Sequence, residues 1–358
     1  MKLGLLGARM DNSGLGIQSW KFYQNMNPDK TLVVDISAIE INLQRVMQQY
    51  PERYPGKGVT FIYGIPNEGD LRTFLHDLDV VFIAESAYNM LFYAIAREMG
   101  VKTAVQHNYE FFDWSDGSIW AKDAPDLFIS PSTWHYDEVS SVAEKRGSKH
   151  VYLHCPVNRK DIKRRYIDSA LLFVHVAGRP AHLDRNGTNT FLEAIKLSNG
   201  DLKGSVYTQD STLENRIKAD YPMIAVKHGT ERYQDVYKKG SVLVLPRKYG
   251  GNCLPMNEAL AAGMPVIMSK VSPQNDFLPD RWLVAAHSRD ELWYPRPGVA
   301  IEVFDVESVD LMFRMRWFVS LSTEDMMAQS DIASNLAETI SWEALRSNYE
   351  EVLNALAV

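Results

Sequence analysis

The residues best placed to do chemistry lie between Leu245 and Ser269, in the run LPRKYGGNCLPMNEALAAGMPVIMS. An apolar strand, Val242–Leu245, leads into a turn that holds Gly250 and Gly251. A helix then begins around Leu254–Pro255, where proline fits because the first helical turn has no use for its missing N–H. Gly263 stops the helix, and Pro265–Met268 forms the next strand. The backbone N–H groups of Gly251, Asn252, Cys253 and Leu254 therefore fall at a positive helix end, an arrangement that attracts phosphate. Glu258 sits one turn further in. Its carboxylate is suited to accept two hydrogen bonds from a ribose diol, and equally to stabilise the helix start through the macrodipole.

A second glycine-rich stretch, GARMDNSGLG from Gly7 to Gly16, follows the first apolar run and precedes a helix. It is not a dinucleotide fingerprint, because position 19 is Ser, and it lacks the Lys-Ser/Thr of a phosphate-binding P-loop. His150 and His154 are four residues apart, which on a strand separates them by ~13 Å, too far to share one metal. On a helix they would share a face, yet no third ligand lies nearby, so no protein-bound catalytic metal is expected. Cys155 and Cys253 match no metal or redox spacing and are expected as free thiols of a reducing compartment, with a single disulfide as the alternative. The aromatic run Tyr109, Phe111, Phe112 and Trp114 reads as core, or as a loop facing an acceptor.

The elements that must hold these residues alternate in type. Candidate strands are Lys2–Leu6, Thr31–Asp35, Val59–Ile62, Val80–Ala84, Thr103–Gln106 and Leu127–Ser130, with helix-like stretches such as Ile17–Asn25 and Met90–Met99 between them. VVFIA at Val80–Ala84 is continuously apolar, as a parallel strand covered on both faces should be. A second series runs through Leu171–Val176, Gly204–Val206, Met223–Val226, Val242–Leu245 and Pro265–Met268. Between the two series, HCPVNR at His154–Arg159 reads as a linker, since Pro156 favours an extended approach. The chain closes on an amphipathic helix whose Trp342, Leu345, Tyr349, Val352 and Leu356 recur every three or four residues. The expectation is α/β: two Rossmann-like lobes facing a central cleft, 1–155 and 156–335, with a C-terminal helical segment, 336–358.

At 358 residues the chain suits two domains. Its formal charge of −7 leaves no global electrostatic footprint for nucleic acid. The densest basic run, Lys163 to Tyr166, reads as a solvated helix face. No apolar run approaches the ~20 residues that cross a bilayer, and MKLGLLGARM reads as a first strand rather than a signal peptide, so a cytoplasmic location is expected.

The segment from Leu245 to Ser269 resembles the nucleotide-binding signature of retaining glycosyltransferases of the GT-B fold, the "group 1" or family-four class. That pattern is a strand ending in Pro-Ser, an acid, a glycine-rich turn, and a second acid followed by Ala-x-Ala-x-Gly-x-Pro-Val. The chain supplies Pro246, Gly251, Leu254, Pro255, Glu258, Ala259, Ala261, Gly263, Pro265 and Val266 in register. The first acid falls on Gly250, so its part in the donor-sugar site is lost, moved, or taken by Lys248 or Asn252.

FVHVAGRPAHLDRNGTNTFLEAI resembles the Gly-Arg … Lys-Asn-Gly … Leu-x-Glu-Ala segment of the same family, with Arg179 and Arg185 as the two cations. The resemblance implies that both bind the diphosphate and stabilise the departing nucleotide. Arg185 brings a planar fork in place of the usual point charge. Gly14 and Gly16 are similar to the loop that lets a first lobe approach donor phosphate and sugar. VKTAVQHNYEFFDW resembles the family strand that ends in a histidine at the cleft, which makes His107 a contact for a sugar hydroxyl or developing charge. Ser341-Trp342-Glu343 and Tyr349 are similar to the family's closing helix, which implies that 336–358 packs back on the first lobe. Several wordings, GLGIQSWKFYQNM, HNYEFFDW and YGGNCLPMNEAL among them, resemble phage-encoded members.

What the resemblance implies is a glycosyltransferase, hexosyl- or pentosyltransferase, with catalytic His107, Arg179 and Arg185. Its donor site would comprise Gly14, Gly16, Arg179, Arg185, Gly251, Asn252, Cys253, Leu254 and Glu258. A nucleoside diphosphate sugar, a UDP-sugar by preference, would be its co-substrate, with no bound cofactor or metal and retention of configuration. The acceptor is open among a modified DNA base, a virion protein and a glycan. Two other readings stand beside this one: a non-catalytic sugar-nucleotide or glycan-binding relative, and a sugar-nucleotide epimerase.

Overall fold

In a computed structural model of the chain, the structure describes residues 1–36, 40–54, 58–118, 123–178, 182–229 and 232–358. They form two compact units. Unit 1 comprises Met1–Cys155, Tyr294–Val299 and Leu345–Val358, and unit 2 comprises Pro156–Trp293 and Ala300–Ala344.

Unit 1 is built on a seven-stranded parallel sheet in the order β3-β2-β1-β4-β5-β6-β7. The strands are β1 (Leu3–Ala8), β2 (Lys30–Asp35), β3 (Val59–Tyr63), β4 (Val80–Ala84), β5 (Lys102–Gln106), β6 (Leu127–Ser130) and β7 (Lys149–Tyr152). All five residues of β4 are buried, in keeping with the apolar run. The helices are α1 (Gly14–Met26), α2 (Glu40–Gln49), α3 (Glu68–Leu75), α4 (Phe92–Glu98) and α5 (Tyr136–Lys145). Two boundaries differ from the expectation in ways that matter. β1 runs on through Gly7, and α1 starts three residues before Ile17 because Ser13 caps it, accepting from Gly16 N at 3.1 Å.

Gly100, at φ +72°, ends the α4 segment in the left-handed conformation that a side chain disfavours. The last helix, α11 (Trp342–Ala357), belongs to unit 1 from Leu345 onward. There Tyr349 is fully buried and packs edge-on against Phe22 and Phe82, which stack at 3.8 Å. Such ring pairs contribute roughly 0.5–1.5 kcal/mol beyond their buried area. The Tyr349 hydroxyl donates to Gln106 Oε1 at 3.0 Å, with the His154 carbonyl at 3.2 Å.

Unit 2 has a six-stranded parallel sheet, β10-β9-β8-β11-β12-β13, and a separate antiparallel pair, β14-β15. Its strands are β8 (Phe173–Gly178), β9 (Gly204–Thr208), β10 (Ala225–His228), β11 (Val242–Leu245), β12 (Val266–Ser269), β13 (Leu283–Val284), β14 (His287–Trp293) and β15 (Ile301–Asp305). The helices are α6 (Thr188–Leu197), α7 (Ser211–Asp220), α8 (Leu254–Ala261), α9 (Ser308–Ser320) and α10 (Thr323–Thr339). The edge strands β3 and β7 of the first sheet are half-exposed and β10 of the second is largely exposed, whereas its other edge, β13, is buried.

The basic run at Lys163 to Tyr166 is a correction to the sequence reading, because it is irregular rather than helical. Arg165 Nη1 reaches the carbonyls of Tyr237 (2.8 Å) and Gly240 (2.6 Å), and Arg164 pairs with Asp331. Hydrogen bonds to loop carbonyls, not helix periodicity, set the shape of that segment. Both cysteines are free and buried. Among the described residues no helix is long and apolar enough to cross a membrane.

Candidate nucleotide-sugar site

In unit 2 the two sequence motifs, well separated along the chain, meet through their backbones. Lys248 N donates to the carbonyl of Arg185 at 2.8 Å. Gly187, at φ +70°, lies so close to Pro246 that a Cβ there would collide with the Pro246 carbonyl oxygen. The loop before α6 is braced from its other side. Asn186 Nδ2 donates to Val176 O at 3.0 Å, and Asp184 caps α6 by accepting from Thr188 N (2.9 Å) and Asn189 N (2.8 Å). His175, fully buried beneath it, donates from Nδ1 to Val244 O (2.8 Å) and accepts from Thr188 Oγ1 (2.9 Å). Burial lowers its pKa to about 4, so it is neutral at physiological pH.

The glycine loop after β11 has the shape the sequence suggests and explains its missing acid. Gly250 adopts φ +111°, and a Cβ added there would lie 2.5 Å from Arg247 Nη2. At this φ a carboxylate side chain would be strained, and it would have to displace the end of the Arg247 side chain. Arg247, which carries no expectation from the sequence, is buried below the loop with Nη1 at 3.3 Å from Asn252 O and 3.5 Å from Gly251 O. The only hint in the sequence is that an Arg stands where the motif has Ser. Lys248 is no open substitute for the acid. It is buried, paired with Asp305 at 2.8 Å, and its carbonyl accepts from Phe304 N at 2.9 Å. Burial pushes the Asp305 carboxyl up, but hydrogen bonds from Arg289 and Lys248 outweigh this and hold it below its ordinary value.

The β14-β15 pair thus buttresses the loop from above. Trp293 stacks on His182 at 4.6 Å and meets Tyr249 at 4.9 Å, while Tyr249 Oη donates to His182 O at 2.7 Å. Helix α8 begins at Leu254 with Pro255 in its first turn, and Cys253 caps it without a side-chain hydrogen bond. The positive end of α8 is therefore not neutralised by a capping side chain, which suits an anionic ligand at Gly251–Leu254. Glu258 is buried behind that turn, and its Oε2 accepts from Tyr237 Oη at 2.6 Å. Burial and the adjacent carboxylate hold the Tyr237 phenol well above its usual pKa, so it stays a donor. Arg179 and its neighbours 180–181 lie outside the described residues.

Unit 1 holds the remaining expected residues. Gly14 and Gly16 stand in the first turn of α1, and a Cβ added to Gly16 would lie only 2.7 Å from both Arg9 O and Asp11 N. Two loop donors are already engaged, Ser13 N by Asp11 Oδ1 (2.8 Å) and Gly16 N by Ser13 Oγ (3.1 Å). Arg9 bridges Asp11 and Asp35, both at 3.0 Å.

His107 follows β5 but its ring is enclosed by Phe112, Trp114 and Phe128. Its Nε2 shares Ser130 Oγ (3.0 Å) with His150 Nε2 (2.8 Å). Burial, and then the neighbouring His150, lower its pKa to about 3, so it supplies no positive charge. The aromatic run is mainly core: Tyr109, Phe112 and Trp114 are buried and Phe111 is exposed. Among the described residues no group of His, Cys, Asp or Glu has a metal-ligand arrangement.

No family model matches the sequence, and no curated protein matches it. Solved structures do match. Anabaena Alr3699/HepE in complex with UDP-glucose superposes with a TM-score of 0.73 at 12% identity, over 99% of this chain and 100% of that one. A glycosyltransferase from Rickettsia africae gives 0.68 at 10% identity, covering 99% and 98%. Sucrose-phosphate synthase from Thermosynechococcus elongatus gives 0.66 at 12% identity, again covering 99% and 98%. The fold is that of the GT-B glycosyltransferases, two parallel-sheet α/β lobes.

Proposed function

We propose that this chain is a glycosyltransferase that moves a sugar from a nucleoside diphosphate sugar, a UDP-sugar by preference, to an acceptor hydroxyl, with retention and without a metal. The observation that carries the reading is the backbone union of the Arg185–Gly187 and Pro246–Gly250 segments beside the uncapped start of α8. That union sets a guanidinium-bearing loop next to N–H donors at a helix terminus, the two features a diphosphate needs. Arg185, with Arg179, would offset the charge that builds on the departing nucleotide. Glu258, oriented by Tyr237, would take the ribose hydroxyls. The occupancy of Alr3699/HepE by UDP and by UDP-glucose supports the choice of donor class.

Gly250 also favours a second reading, a binder of sugar nucleotides that does not turn them over, because the acid associated with the donor sugar is absent and the backbone there disfavours a side chain. Incubating the purified protein with UDP-sugars and following UDP release separates the two. Release above the uncatalysed rate supports the transferase. Tight UDP-sugar binding with no release, with or without acceptor hydroxyls, supports the binder.

A further inference from the structure

Arg53 ends a short 3-10 turn, Pro51–Arg53, that follows α2, in a stretch with no catalytic motif, yet it is only 2% exposed. Its guanidinium is sandwiched between the rings of Trp20 (4.1 Å) and Tyr50 (3.9 Å). Nη1 donates to the carbonyls of Met10 (3.1 Å) and Asp11 (2.8 Å), and Nη2 to Asn12 Oδ1 (2.9 Å). The adjacent Tyr54 Oη accepts from Met10 N at 2.7 Å. Three successive residues of the glycine loop are therefore held by one side chain and its neighbour. Glu52, at 3.8 Å from Nε, is itself exposed and gives little screening-resistant compensation.

Burying a guanidinium is costly unless its donors are satisfied, and an apolar side chain would fill the space between two rings without that cost. What an apolar side chain cannot do is fix the carbonyls of Met10 and Asp11. With these fixed, Asp11 is pressed against Gly16, engages Ser13 N and Arg9, and gives the start of α1 one shape. A lysine could not reproduce the arrangement, because a point charge on a flexible stem lacks the planar fork.

We propose that Arg53 is a positioning residue for sugar transfer: it pre-shapes the loop Met10–Gly16 of unit 1, so that the loop need not be ordered when it meets its ligand. This rests on the transferase reading above and on the resemblance that gives Gly14 and Gly16 a part in donor binding. Pre-shaping a loop removes an ordering cost from the reacting complex, so its loss shows in turnover more than in nucleotide affinity.

The test compares wild type with Arg53→Lys and Arg53→Met by three measurements: amide exchange of residues 10–16, kcat for UDP-glucose hydrolysis, and the Kd of UDP. For Arg53→Lys we expect exchange of that segment to rise by about tenfold or more and kcat to fall by about tenfold, with the UDP Kd within about twofold of wild type. Added guanidinium should return part of the kcat of a third variant, Arg53→Ala, which leaves the space between the rings open, and should return none to Arg53→Met, which fills it. Wild-type exchange in Arg53→Lys overturns the proposal, and so does faster exchange with unchanged kcat. Loss of UDP affinity in step with kcat also overturns it. A wild type that neither binds UDP nor hydrolyses UDP-glucose overturns the transferase reading instead, with the exchange rates still deciding whether Arg53 fixes the loop.

Discussion

The backbone N–H of Lys248 donates to the carbonyl of Arg185 at 2.8 Å, and this one bond joins the two segments on which the functional reading depends. Around it, Gly187 gives up side-chain volume so that Pro246 can approach, and Gly250 does the same for Arg247 within its own loop.

Gly187→Ala places a methyl group against the Pro246 carbonyl in a left-handed backbone. The variant is expected to lose roughly 1–3 kcal/mol of stability and most UDP-induced thermal stabilisation. Urea denaturation and a thermal shift with UDP check both parts. Unchanged values would mean that the loops do not need to touch.

Gly250→Glu restores the acid of the resembling motif, and simple motif logic would expect more activity from it. The φ of +111° and the proximity of Arg247 predict the reverse, a fall of about tenfold or more in UDP-glucose affinity. Titration calorimetry decides between the two, and tighter binding or faster turnover would refute this explanation of the missing acid.

Tyr237→Phe leaves Glu258 Oε2 without its 2.6 Å donor in a buried setting. A loss of about 1–3 kcal/mol in stability is expected, together with weaker UDP binding as the carboxylate loses its orientation. Denaturation midpoints with and without UDP measure each effect. Equal stabilisation of variant and wild type by UDP would remove Glu258 from the site.

Acid should destabilise unit 2 through His175. Its folded pKa of about 4 lies below the unfolded value of 6.5, so between these the unfolded chain binds more protons and stability rises with pH. The contribution is full above about pH 6.5 and is lost as pH falls toward 4, at a scale of about 1.4 kcal/mol per unit of pH. His175→Gln should flatten the decline in denaturation midpoint between neutral and mildly acidic buffer. An identical slope in the variant would show that other groups set the acid limb.

How much of the molecule is legible in its sequence follows from what each feature writes there. The strand, loop and helix around Gly250 are readable because Gly, Pro and an apolar run mark every boundary. Both sheets are readable because covered parallel strands are continuously apolar. The edge strands β7 and β13 and the β14-β15 pair are not, since KHVY and HSRDELW carry polar residues and are half-exposed or exposed, and LV is too short to show a pattern. Arg53, Arg247 and Tyr237 escape notice for a different reason: each acts on a segment distant in sequence or on a loop carbonyl, and neither relation has a local signature. His107 does stand at the end of β5, as expected, but a strand end does not reveal that three aromatic rings enclose the imidazole.

The central claim is that Arg185 and Glu258, together with the start of α8, form a donor site in unit 2. It is tested most directly by titrating UDP-glucose into wild type, Arg185→Ala and Glu258→Ala while recording heat. The account predicts saturable binding by the wild type and a loss of at least about tenfold, roughly 1.4 kcal/mol, in each folded variant. Wild-type affinity in either variant, or no heat with the wild type, would contradict it.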